Sequence, residues 1–250
     1  MVVAKFNRTL SYKNMEKLIL LFTLLFFSSI AAANYNVYNK TDYETPKALD
    51  EKILFVVDYS SSMNEYLEGR TKYELVQETM SELLPKIPKE KWVGLRIYGH
   101  RSGITAYDAC KASSLVVPVI PAGTKRVEKE LAKHEPRGMT PITYSLKKAI
   151  SSDMNFPENK RIILLTDGGE NCDESPCKWA IDLIQQRKDI NIDVIAFNVS
   201  EDEDLDQLRC TASVTSGKFY NPQTSAELIK SLENSLNITK EVEAQIVPKN

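Results

Sequence analysis

Residues 53–62 read Ile-Leu-Phe-Val-Val-Asp-Tyr-Ser-Ser-Ser: five apolar residues run into an aspartate and then into a string of hydroxyls. An apolar run of that length with no polar alternation suits a strand buried on both faces, as in a parallel sheet. The pattern returns at Arg161–Thr166 (RIILLT), which ends at Asp167, and in looser form at Trp92–Tyr98 (WVGLRIY) and Ile190–Phe197 (INIDVIAF). Leu115–Ile120 reads as a further strand, placed at an edge by Pro118, and Lys218–Asn221 as a short last one. Helical spacing fills the intervals. Tyr73, Val76, Met80, Leu83 and Leu84 share a face until Pro85 and Pro88 stop the helix. Lys125–His134 is a short helix, and Pro141–Ser152 a firmer one carrying Ile142, Leu146 and Ile150. Pro176–Arg187 is expected to turn Ile181 and Ile184 inward, Leu205, Leu208 and Ala212 mark another helix, and Ser225–Leu236 carries Leu228, Ile229, Leu232 and Leu236. Strands alternating with helices of this length specify an α/β fold, a doubly wound sheet in one domain of about 190 residues.

In such sheets ligands bind beyond the carboxyl ends of the strands, where the strand order reverses. The turn after the first strand is Asp58-Tyr59-Ser60-Ser61-Ser62, the pattern D-x-S-x-S. After the RIILLT strand comes Thr166-Asp167-Gly168-Gly169, and before the middle helix Gly138-Met139-Thr140-Pro141. No glycine-rich dinucleotide or Walker loop is present. Asp58, Ser60, Ser62, Thr140 and Asp167 offer only oxygen, the donor preferred by hard divalent cations. Three neutral hydroxyls beside two carboxylates leave a divalent cation not over-neutralised and still open to one more anionic oxygen from outside. Taken singly, each turn reads as a helix N-cap or a loop; together and in this order they are specific.

These three motifs resemble the von Willebrand factor type A domain, whose metal-ion-dependent adhesion site uses this D-x-S-x-S, Thr and Asp-Gly set in this order. The resemblance spans about Glu51 to Leu236 and departs nowhere from the five-residue pattern. It implies a Rossmann-like fold, mostly parallel with one short antiparallel edge strand. It also implies Mg2+, or Mn2+ or Ca2+, ligated directly by Ser60, Ser62 and Thr140 and partly through water by Asp58 and Asp167. The implied partner is a protein presenting an Asp or Glu. In the family the threonine ligand and the last helix, here Thr140 and Ser225–Leu236, move when ligand binds; a rigid site is the reading preferred for a short exported chain. Tyr98-Gly99-His100-Arg101 and Gly168-Gly169-Glu170 are similar to the secreted bacterial members. His100, Arg101 and Glu170 are candidate rim residues, with a solvated loop and a surface carboxylate as the plainer alternatives. Trp92 and Trp179 are expected in the core.

Other functions fare worse. A formal net charge of −2 disfavours nucleic acid. An aspartyl phosphatase would need a second Asp two residues after Asp58, where Ser60 stands, and a serine hydrolase would need a G-x-S-x-G, which is absent. A metal-dependent hydrolase would have only Asp167 or Glu170 as general base. The alternatives carried forward are that exported hydrolase and a structural subunit of an envelope assembly.

The compartment is read from the N-terminus. Lys17 precedes Leu18–Ile30 (LILLFTLLFFSSI), and Ala31-Ala32-Ala33 follows. Residues 1–33 therefore read as a signal peptide cleaved after Ala33, with Met15 as a possible true start. An uncleaved membrane anchor is the alternative, though the apolar stretch is short for a span of roughly 20 residues. Removing 1–33 takes four basic residues and one acidic one and leaves a net charge of −5. Residues 34–50 read as a polar arm, 51–236 as the domain and 237–250 as a polar tail. The mature protein is expected to be secreted or periplasmic, not membrane-spanning, in an oxidising compartment that favours disulfides. Cys110, Cys172, Cys177 and Cys210 allow three connectivities. Cys172–Cys177 with Cys110–Cys210 is expected, because the short loop closes at small entropic cost.

Overall fold

A computed structural model describes residues 51–157 and 160–238. The expected leader, the arm and all but two residues of the expected tail lie outside those limits.

A six-stranded sheet forms the centre: β1 (Lys52–Asp58), β4 (Trp92–Tyr98), β5 (Ser113–Pro121), β6 (Lys160–Thr166), β7 (Ile190–Ala196) and β8 (Phe219–Tyr220), in the spatial order β5-β4-β1-β6-β7-β8. β1 pairs in parallel with β4 and β6, β7 pairs in parallel with β6 and β8, and β5 pairs antiparallel with β4 at the edge. That is the doubly wound arrangement expected from the sequence. β5 tolerates Pro118 because an edge strand offers one side of its backbone to no neighbour.

Both faces of β1 are buried, and its side chains divide between two cores. Ile53, Phe55 and Val57 pack with Leu75, Val76, Met80 and Leu83 of α1 (Lys72–Leu83), Val127 and Leu131 of α3 (Thr124–Leu131), and Leu228, Leu232 and Leu236 of α7 (Ser225–Leu236). Leu54 and Val56 pack with Ile142 and Leu146 of α4 (Ile142–Lys148) and Leu208 and Ala212 of α6 (Asp202–Val214). Trp92, and Trp179 of α5 (Pro176–Gln186), lie half-buried against this second core. Ile181 is a correction: it is 42% exposed, and α5 buries Ala180 instead, with Leu183 packed beside it.

The expected helix 141–152 is split. α4 gives way at Ala149 to a π-helical turn, Ala149–Asp153. The buried Asp153 there accepts Arg96 Nε at 2.6 Å and Nη2 at 2.9 Å from β4. A small hairpin, β2 (Tyr66–Leu67) and β3 (Arg70–Thr71), follows the hydroxyl-rich turn. Its two central residues, Glu68 and Gly69, have φ of 53° and 80°, as a tight two-residue hairpin loop demands. The loop after β4 contains one helical turn, α2 (Ala106–Ala109).

Candidate metal centre

The chain runs from β1 outward through β4 and β5, then returns across β1 to build β6, β7 and β8 on the other side. The reversal falls between β1 and β6, and Asp58 ends the first while Asp167 directly follows the second. Asp58 is fully buried. Its Oδ1 accepts the Ser60 amide at 2.6 Å, its Oδ2 accepts the Tyr98 hydroxyl at 3.1 Å, and Thr166 Oγ1 lies 2.8 Å from Oδ2. The neighbouring strands β4 and β6 therefore both hold this carboxylate.

A chain of hydroxyls leads from there to the second aspartate. Ser60 Oγ and Ser62 Oγ are 3.0 Å apart, and the Ser62 hydroxyl donates to Asp167 Oδ1 at 2.8 Å. Lys72, the first residue of α1, places its ammonium 3.0 Å from Asp167 Oδ2 and 2.7 Å from Glu65 Oε2. Burial, and then the charge of Asp167, pushes the Asp58 carboxyl up to about 7. Burial likewise raises Asp167, against the opposing pull of Lys72 and Ser62. Two buried carboxylates so close together carry more negative charge than one ammonium offsets, and the surrounding donors are hard oxygens. That set suits Mg2+, Mn2+ or Ca2+. Among the described residues no group of three or more His, Cys, Asp or Glu converges, at this site or any other, so the donor set here is two carboxylates and hydroxyls.

The third motif is stitched to the first by backbone. Ser60 and Gly138 form a parallel bridge, and the Ser61 amide donates to Gly138 O at 3.0 Å. Gly99 permits the approach: its φ is +72°, and a Cβ there would stand 2.5 Å from Ser60 N and 2.8 Å from Met139 O. Thr140, two residues past the bridge and 5% exposed, donates its amide to Asn171 Oδ1 at 2.7 Å. Asn171 and Lys72 are the site residues that the sequence reading missed. Glycine spacing and apolar period mark neither of them.

The three rim candidates separate. His100 is half-buried, its Nε2 3.2 Å from Ser114 Oγ and its ring 5.9 Å from that of His134. Burial pushes its imidazole down to about 4, with His134 and Arg101 adding to the effect. Arg101 is exposed and pairs with Asp108 at 3.0 Å. Glu170 spends its carboxylate on backbone, accepting the amides of Thr143 at 2.7 Å and Cys172 at 3.0 Å, so it fastens the first turn of α4.

The disulfides correct the expected connectivity. Cys110 pairs with Cys172 and Cys177 with Cys210, with Cα separations of 5.6 Å and 5.3 Å. Cys172–Cys177 fails because Ser175 caps α5, which carries Cys177 on to the helix packed against α6, where Cys210 sits. Cys172 stays behind in the loop, beside Cys110 at the end of α2. The folded loops, and not the entropy of the shortest closure, bring the sulfurs together.

Comparison with known proteins identifies the family and agrees with the fold. The family model for the von Willebrand factor type A domain matches residues 52–235, so the chain belongs to that family. A curated relative, the uncharacterized protein YwmC of Bacillus subtilis, is 26% identical over 79% of this chain and 88% of its own length. Proximal thread matrix protein 1 from the mussel byssus has been solved with a zinc-occupied MIDAS motif. It superposes with a TM-score of 0.56 at 21% identity over 74% of this chain, which spans only 44% of that protein. An aerotolerance-related membrane protein from Bacteroides fragilis superposes at 0.55 with 16% identity, over 76% of this chain and all of the other. At these identities the solved structures speak for the fold alone.

Proposed function

We propose that this member of the von Willebrand factor type A family is an exported binding module. It would hold a divalent cation, Mg2+ in the first instance, on Ser60, Ser62, Thr140, Asp58 and Asp167, and use it to capture an acidic side chain of a protein partner. The observation that carries the reading is the run of hydroxyl and carboxylate oxygens from Ser60 through Ser62 to Asp167, at 3.0 and 2.8 Å, with the Thr140 loop bridged on to it. A cation bound there supplies a Lewis-acidic position for a carboxylate oxygen. The protein's own part is to keep the oxygens converged. Asp58 is fixed from both flanking strands, Lys72 offsets one of the two buried charges, and Gly99 lets two of the loops touch.

A binding role fits better than hydrolysis because the two bases that the sequence offers are otherwise engaged: Asp167 stands among the proposed ligands, and Glu170 accepts the amides of Thr143 and Cys172. Export is supported by two disulfides, which favour an oxidising compartment. No helix among the described residues is long and apolar enough to cross a membrane.

The test is isothermal titration of the purified protein with Mg2+ and Mn2+, beside Asp58→Ala and Thr140→Ala. Binding to wild type and its loss in both variants, with circular dichroism unchanged, supports the reading. Undiminished metal affinity in the variants refutes the assigned ligands. Metal-dependent turnover of generic phosphoesters or peptides, lost in Asp58→Ala, would replace binding by catalysis.

A further inference from the structure

We propose that Asn171 and the Cys110–Cys172 disulfide form a clasp that positions Thr140, and through it sets the metal affinity of the site; this rests on the metal-binding reading above. The loop bearing Thr140 lies between two others. Toward the loop after β4 it is held by backbone, with Gly138 N donating to Gly99 O at 2.7 Å and Arg137 N to the same oxygen at 3.1 Å. Toward the loop after β6 it is held by side chains: Asn171 Oδ1 takes the Thr140 amide at 2.7 Å, and Glu170 takes the Thr143 amide.

Those side chains hold only as firmly as the backbone that carries them. Asn171 is followed directly by Cys172, whose disulfide reaches across to Cys110, the C-cap of α2 in the loop after β4. The cystine also lies against the Thr140 loop itself, with Cys110 Sγ 3.9 Å from Met139 Sδ. One covalent bridge thus joins the loops on either side of Thr140.

The local chemistry explains why one amide matters. Thr140 precedes Pro141, and a residue before proline is confined to extended ψ. The remaining freedom is the peptide plane ahead of Thr140, and Asn171 grips that plane by its N–H. Released, the plane can turn and carry the Thr140 side chain with it. Partners of metal ligands are typically worth about 10- to 100-fold in affinity.

The experiment titrates Mn2+ into wild type and four variants, with melting in EDTA measured alongside. Asn171→Leu keeps the volume and both disulfides but removes the acceptor, and should weaken Mn2+ binding by about tenfold or more. Asn171→Asp keeps an acceptor oxygen and should bind as tightly as wild type or tighter. The double variant Cys110→Ser/Cys172→Ser should weaken Mn2+ as Asn171→Leu does. Cys177→Ser/Cys210→Ser, which unties α5 from α6, should lower the melting temperature and leave Mn2+ affinity unchanged. Wild-type affinity in Asn171→Leu, or equal losses in the two cysteine variants, overturns the clasp. If wild type binds no Mn2+, the metal reading has failed. The clasp is then judged on amide hydrogen exchange at Thr140 in EDTA: faster exchange in Asn171→Leu supports it and unchanged exchange refutes it.

Discussion

At the scale of the residue, the site is an electrostatic compromise. Lys72 stands at the first position of α1, where the helix dipole disfavours a cation, and the buried Asp167 carboxylate 3.0 Å away accounts for it. Lys72→Met should lower the stability of the protein in EDTA by on the order of 3 kcal/mol, since it strands a buried carboxylate. The same change frees Asp167 for a cation, so Mg2+ should restore more of the melting temperature in the variant than in wild type. Thermal melts in EDTA and in Mg2+ decide this, and an equal Mg2+ increment in both proteins would refute it. His100 gives the pH signature. Its folded value, about 4, lies below the ordinary 6.5, so the unfolded chain binds the extra proton first. The stability it contributes is complete above about pH 6.5 and is lost as pH falls toward 4. NMR titration should show the ring neutral at pH 5, and the melting temperature of His100→Asn should fall less than that of wild type between pH 6.5 and 4. Asp58, Ser60, Ser62 and Asp167 could be proposed from the sequence because each sits at or just past the end of an apolar run. Asn171 and Lys72 could not, because neither ends an apolar run or belongs to one of the three motifs, and only the folded contacts with Thr140 and Asp167 mark them.

At the scale of the element, strands and helices were read closely where burial is continuous. β4 and α7 have the bounds that the apolar pattern implies. Misreadings fall where tertiary contact, not period, decides. The π-helical turn at Ala149–Asp153 coincides with the buried Arg96–Asp153 pair, which periodicity cannot register. The hairpin Tyr66–Thr71 has strands of two residues, too short for alternation to show. Cystine pairing depends on which loops the sheet order makes neighbours, and sequence spacing is silent on that. Loops meet at the site through Gly99, and this carries a test. Gly99→Ala combines a positive φ with contacts of 2.5 Å to Ser60 N and 2.8 Å to Met139 O. It must push the D-x-S-x-S turn and the Thr140 loop apart. The expected result is a loss of about 1–3 kcal/mol in stability, measured by denaturant unfolding, together with weakened Mn2+ binding. Retained Mn2+ affinity would show that the loops can separate without cost to the site.

At the scale of the whole molecule, the question is whether events at the metal reach the last helix. α7 is fastened along its length. The Ser225 amide donates to Glu68 Oε2 at 3.2 Å, Leu228, Leu232 and Leu236 are buried, and Arg161 donates to the Ser235 carbonyl. The most buried tie is the Ser235 hydroxyl, which donates to Asp193 Oδ2 at 2.7 Å between two buried residues. Sliding the helix along its axis withdraws that donor from a buried carboxylate while unseating three leucines. A cation or carboxylate at the far end of the sheet shifts such an equilibrium only by its differential affinity for the two states. The helix is therefore expected to stay put. Amide exchange over residues 225–236 should be the same in Mg2+ and in EDTA. Ser235→Ala should lower stability by about 1–3 kcal/mol without altering Mn2+ affinity. Exchange in α7 that changes with Mg2+, or a metal affinity that changes in Ser235→Ala, would make the helix a moving part and couple the two ends of the domain.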